Sequence, residues 1–143
     1  MRDEADAGWT DLRAALEADL RRVVDRLGGL SAAQLAAPLP PSEEGGPPYW
    51  SRAQAAWAVA QTMVEASQAL ENAPAWAQAP GLPRLTDFAA ADQIAVTGHD
   101  LIAALELVGP DDPVSGPEFL QYGPARKVVA WPARLLGDLR RRL

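Results

Sequence analysis

Apolar residues recur every three or four positions along most of this chain, the spacing that lines one face of an α-helix. The clearest run is WTDLRAALEADLRRVVDRLGGL, residues 9–30, where Leu12, Leu16, Leu20, Val23, Leu27 and Leu30 form one stripe. Asp6 or Thr10 is expected to cap this helix. Gly28 and Gly29 are expected to end it, because glycine tolerates the left-handed C′ conformation. SAAQLAA follows, with Ser31 and Gln34 spaced as a capping box over a short helical turn.

Ser51 and Gln54 repeat that spacing at the head of a second long helix, in YWSRAQAAWAVAQTMVEASQALENAP. Trp57, Ala60, Val64 and Leu70 give it an apolar face, and Pro74 marks its end. A third long helix is expected from about Thr86 to Val108. Phe88, Ala91, Ala95, Ile102 and Leu105 fall near one stripe, widened by Ile94, Leu101 and Val108. Gly98 in its middle costs ~1 kcal/mol against alanine, and the usual return is close approach of another backbone. The last segment, PARKVVAWPARLLGDLRRRL, reads as helical, with Pro132 either kinking it or opening a new helix at N1.

Between these runs lies punctuation. PLPPSEEGGPP, residues 38–48, is read as a mobile loop of prolines, glycines and acids. Pro74 to Arg84 is a second proline-rich loop, and GPDDP is a turn. No alternating strand pattern of useful length occurs. The expectation is a single all-α domain over residues 1–143, a four-helix bundle.

Composition narrows the function. At 143 residues the chain suffices for one ordinary domain. It has no cysteine, which removes disulfides, thiolate metal sites and thiol nucleophiles together and fits a cytoplasmic location. A net charge of −6 argues against nucleic acid as the partner. No stretch approaches the roughly 18 apolar residues of a membrane span, and MRDEADAG has no apolar run behind it to make a signal peptide. Heavy alanine and arginine use fits a GC-rich bacterial genome.

Two stretches resemble the DinB-like helical bundles, in particular the mycothiol-dependent maleylpyruvate isomerase branch. That branch shows Trp-Ser/Thr, six residues, then His-Leu/Val-Ala at the start of its second helix. WSRAQAAWAVA keeps Trp50, Ser51, Val59 and Ala60, with Ala58 at the histidine position. The branch also shows Glu, three residues, His, then Gly-x-Asp-Leu. QIAVTGHDL keeps Gly98, Asp100 and Leu101, with Gln93 at the glutamate position and Thr97 at the histidine position. In the family this second motif lies on the fourth helix, whereas here it falls on the third.

The resemblance implies a DinB-like four-helix bundle. The family's three residues bind a divalent metal, since imidazole and carboxylate suit zinc or nickel. Alanine, glutamine and threonine in their places imply a lost metal site, and no metal or other cofactor is expected. Trp57, Ala58, Gln93, Thr97 and Asp100 then outline a vestigial pocket.

His99 is the chain's one histidine. At about 100° per residue it points nearly away from the Gln93, Thr97 and Asp100 face. It shares a stripe with Asp92 and Glu106, which reads as a solvated acidic face, with a partner interface or pocket edge as the alternative. No serine has a nucleophile signature around it. Asp111 and Asp112 in the turn are a weak hard-cation candidate. Arg140 to Arg142 read as a solvated tail or an anion site.

Three functions stay open. One is a bundle without intact catalytic residues that binds a small molecule or a protein partner. Another is a transferase or isomerase with a relocated site around His99, Asp100 and Asp92. The third is a structural homo-oligomer that packs through its alanine-rich faces and Gly98.

Overall fold

The structure, a computed structural model, describes residues 2–41, 51–71, 81–114 and 123–143. The described residues are mostly helical, as expected. Helix α1 spans Arg2–Gly28, α2 Ala32–Ala36, α3 Arg52–Leu70, α4 Ala90–Leu105 and α5 Ala125–Arg142. A short 3₁₀ turn, Asp87–Ala89, leads into α4. Strands β1 (Pro113–Val114) and β2 (Gly123–Pro124) pair antiparallel. Two-residue strands are too short for hydrophobic alternation to reveal.

The α1 stripe faces inward. Leu16, Leu20, Val23, Leu27 and Leu30 are buried, while Leu12 packs at the edge. Burying each leucine contributes about 1.5–3 kcal/mol. The helix begins before both expected caps. Thr10 lies inside it and donates its hydroxyl to the Asp6 carbonyl, 3.0 Å away, so it caps nothing. The helix does end at Gly28, but neither Gly28 nor Gly29 is left-handed. Tight bonds from Gly29 N to Arg26 O and from Leu30 N to Leu27 O close the end instead.

Both capping boxes form. Ser31 and Ser51 each accept from the backbone amide three residues on, and Gln34 and Gln54 each reach back to the cap amide. Helix α3 buries Ala56, Ala60, Met63, Ala66 and Leu70, so much of its inner face is alanine. Pro74 lies outside the described residues. Helix α4 starts later than expected, and Phe88 is 67% exposed. The 3₁₀ turn at Asp87–Ala89 rotates Phe88 out of the 3.6-residue register that placed it on the stripe. Ile94, Leu101, Ile102 and Leu105 do face the core.

Helix α5 runs through Pro132, which is buried, so the chain does not start a new helix there. Proline has no amide proton to give to the carbonyl four residues back. Burial of its ring against the core offsets part of that cost.

The principal interfaces join α1 to α4 and α5, and α3 to the same two helices. Helix α2 packs on α3. One core of buried residues draws on all five helices. The stretch from Pro38 to Pro40 is not a free loop. Leu39 is buried, Pro38 bridges to Ser51, and Arg52 binds both the Ala37 carbonyl and the Pro38 carbonyl. Pro41 is exposed, and residues 42–48 lie outside the described residues. No helix among the described residues is long and apolar enough to cross a membrane.

Candidate functional site

The residues that outline the expected pocket have separate duties. Gln93 is partly buried, and its side-chain amide donates to the Pro83 carbonyl at 2.9 Å. Thr97 is buried, and its hydroxyl donates to the Gln93 carbonyl at 2.7 Å, one turn earlier on α4. Asp100 is exposed. Trp57, half-buried on α3, donates its indole N–H to the Leu82 carbonyl at 3.1 Å. Gln61 accepts from Leu82 N at 2.6 Å. Trp57, Gln61 and Gln93 thus satisfy the backbone of residues 82 and 83, a segment with no regular structure of its own.

Arg84 lies 6.0 Å from the Trp57 ring centroid, and the two border a shallow pocket with Gln54 and Ala58. Trp50 and Trp76 lie outside the described residues.

The donor set at positions 58, 93 and 97 does not fit a divalent metal. Ala58 has no donor atom, and Gln93 and Thr97 supply only neutral oxygens in place of carboxylate and imidazole. Among the described residues, no group of three or more histidine, aspartate or glutamate side chains is gathered where it could hold a metal ion.

His99, Asp92 and Glu106 are all exposed. Glu106 lies 3.9 Å from Arg13 of α1. His99 borders a groove of about 350 Å³ between α1 and α4. Its polar company there is Glu17, Arg21 and Asp25 of α1, not Asp92 or Asp100. Reading along one helix could not supply those neighbours. In the turn, Asp112 accepts from Gly109 N at 2.8 Å and Asp111 pairs with Arg126 at 3.1 Å, which gives both carboxylates structural roles.

A second groove, of about 400 Å³, lies between α3 and α5. Its α3 wall is Ala55, Ala58, Val59 and Thr62, at helical spacings of three, one and three. Its α5 wall includes Trp131, Leu135, Asp138 and Arg142, at spacings of four, three and four. Leu39 closes one side. The groove exists because the α3 wall is built from small side chains, so α5 meets little there. Trp131 keeps 50% of its surface exposed at the rim. The Thr62 hydroxyl donates to the Ala58 carbonyl at 3.0 Å.

Arg142 is not a frayed tail residue. Its side chain is 11% exposed, with Nη1 3.2 Å from Asp138 Oδ2 and Nε 2.7 Å from the Pro40 carbonyl oxygen. Its Nη2 is buried and has no hydrogen-bond partner among the described residues. Nothing local in the sequence marks Trp131. The 131, 135, 138, 142 spacing was the available signal, but it becomes informative only once a wall of small residues stands opposite.

Comparison with known proteins finds no matching family model, no similar curated protein and no similar solved structure.

Proposed function

We propose that this chain is a DinB-like four-helix bundle that has lost the family's metal site and binds a small molecule in the groove between α3 and α5. The observation that carries this reading is the groove itself. Ala58, at the position where the resembling family has a metal-binding histidine, lines it. The groove is mostly apolar, with Thr62, Asp138 and Arg142 as its polar groups, and falls in the 300–1,000 Å³ range of small-molecule sites. The half-exposed Trp131 supports the same reading, since a large aromatic surface at a groove rim is what a ligand would cover. The side chains of Gln93 and Thr97 each donate to a backbone carbonyl, a structural role that accords with this reading.

The test is an NMR titration of the labelled protein with small apolar probes, paired with thermal shift. Binding is expected to move resonances of Ala55, Val59 and Leu135 and to raise the melting temperature. Occupancy at one hundred times Kd stabilises by about 2.7 kcal/mol. Ala58→Phe, which fills the groove, should keep the fold and abolish both effects. Shifts confined to the His99 groove, or none with any probe, would remove the basis for the proposal.

A further inference from the structure

We infer that the ligand of the α3–α5 groove is an uncharged, chain-like apolar molecule, and that Leu39 sets its length by closing the end its tail reaches. This rests on the reading of that groove as a small-molecule site. The groove has two unlike ends. The Arg52 amide donates to the Ala37 carbonyl, and Arg142 Nε donates to the Pro40 carbonyl. Residues 37–40 therefore strap the start of α3 to the end of α5, and the two helices run antiparallel along the groove. Ala55 and Arg142 line it near the strap, whereas Thr62 and Trp131 line it farthest away. At the strap end Leu39 is 3% exposed and Leu139 2%, while Trp131 at the other end keeps 50%. One end is shut, and the other is open to water.

Shape and charge select the occupant. The α5 lining runs from Trp131 to Arg142, eleven residues, or about 16 Å along the axis. A space of about 400 Å³ drawn out over that length takes an extended chain better than a compact ring system. Among the described residues that line it, only Asp138 and Arg142 are charged, and they pair with each other at 3.2 Å. No lone charge waits there for an ionic ligand, and an unpaired ion among alanine and leucine side chains is costly. A polar head therefore stays at the Trp131 end, where water solvates it, and the tail points toward the strap.

Leu39 is a fixed wall because both of its neighbours are anchored. Pro38 bridges to Ser51, and its carbonyl accepts from Arg52 Nη1 at 3.1 Å. Pro40 is held by Arg142 at 2.7 Å. A tail that reaches Leu39 gains nothing from a further methylene, because the added carbon has no apolar space left to enter. The side chain at position 39 thus acts on ligand length, while Trp131 at the open end contacts chains of every length.

The experiment is a calorimetric and NMR titration of the full chain with the primary alcohols from 1-butanol to 1-dodecanol, with octanoate and octylamine as charged counterparts of 1-octanol. Affinity is expected to rise about four-fold per methylene and then level off at the length that meets Leu39. Both ions should bind at least about ten-fold more weakly than 1-octanol. Leu39→Ala, which removes Cγ and both Cδ atoms, should move the limit about two carbons longer, and Leu39→Phe should move it about two shorter. Leu39→Met, close in volume, should leave it in place. Trp131→Ala should weaken every alcohol and keep the limit. Where the alanine variant fails to fold, Leu39→Phe decides alone. An unbroken rise across the series, a limit that the folded variants do not move, or an ion binding best overturns the inference, while alcohol binding keeps the groove reading. If no alcohol shifts the groove resonances, the groove reading falls and the inference with it.

Discussion

Gly98 of α4 packs against the buried Leu20 side chain of α1. A Cβ at position 98 would meet both Leu20 methyl groups, with Cδ2 at 2.7 Å. The return for a mid-helix glycine is therefore close contact with a side chain, not with another backbone. Alanine would gain ~1 kcal/mol of helix propensity but overpack the contact by about 1–3 kcal/mol. Gly98→Ala is expected to destabilise the protein by about 1 kcal/mol in urea denaturation. In a Leu20→Ala background the same change should stabilise. A stabilising Gly98→Ala in the unmodified chain would mean that the contact has slack.

The cap at Ser51 opens a 19-residue helix, whereas Ser31 opens one of five. Ser51→Ala is expected to cost about 1 kcal/mol and Ser51→Gly only a few tenths, because glycine leaves the cap amides open to water. Guanidinium denaturation with an unchanged m-value would check both.

Residues 82 and 83 are held by side chains from two helices, so they should loosen before the core does. Gln61→Leu removes the acceptor 2.6 Å from Leu82 N. Hydrogen exchange at the Leu82 amide is expected to rise by at least about ten-fold, while the Ile94 and Leu101 amides stay protected. Trp57→Phe, which deletes the indole donor to the Leu82 carbonyl, should cost about 1 kcal/mol and loosen the same stretch.

Asp19 of α1 and Arg140 of α5 approach to 2.8 Å, with side chains 23% and 32% exposed. The contact lacks hydrogen-bond alignment, since Arg140 Nε has no such bond. It should behave as a modest ion pair. Asp19→Asn is expected to cost no more than about 1 kcal/mol, a difference that shrinks in high salt. A cost well above that would assign Asp19 a role beyond this pair.

Features set by short-range chemistry were legible in the sequence. The two capping boxes need only four residues each, and the α1 stripe needs only its own periodicity. Phe88 was misread because a single 3₁₀ turn changes the register, and no residue type announces that change. At Pro132 the sequence leaves a kink and a new helix equally open, and only burial against other helices, which offsets part of the proline's cost, lets one helix run through it. At the candidate site, Gln93 and Thr97 bind carbonyls whose positions depend on the folded path of residues 82 and 83 and of α4. The α3–α5 groove was invisible for a related reason. A gap between helices belongs to two segments at once, and alanine at 55 and 58 signals close packing as readily as open space.

Arg142 binds the Pro40 carbonyl through Nε, and the same side chain lines the α3–α5 groove. The strap from Ala37 to Pro40 and the contents of that groove therefore share one guanidinium. For a ligand that binds the proposed groove site and steadies Arg142, reciprocity requires an immobilised strap to raise its affinity by the same factor. The Arg52 amide, bonded to the Ala37 carbonyl at 3.0 Å, lies at the opposite end of that strap. If a ligand binds the groove as proposed, the rate of hydrogen exchange at this amide should fall on binding, a readout remote from the site.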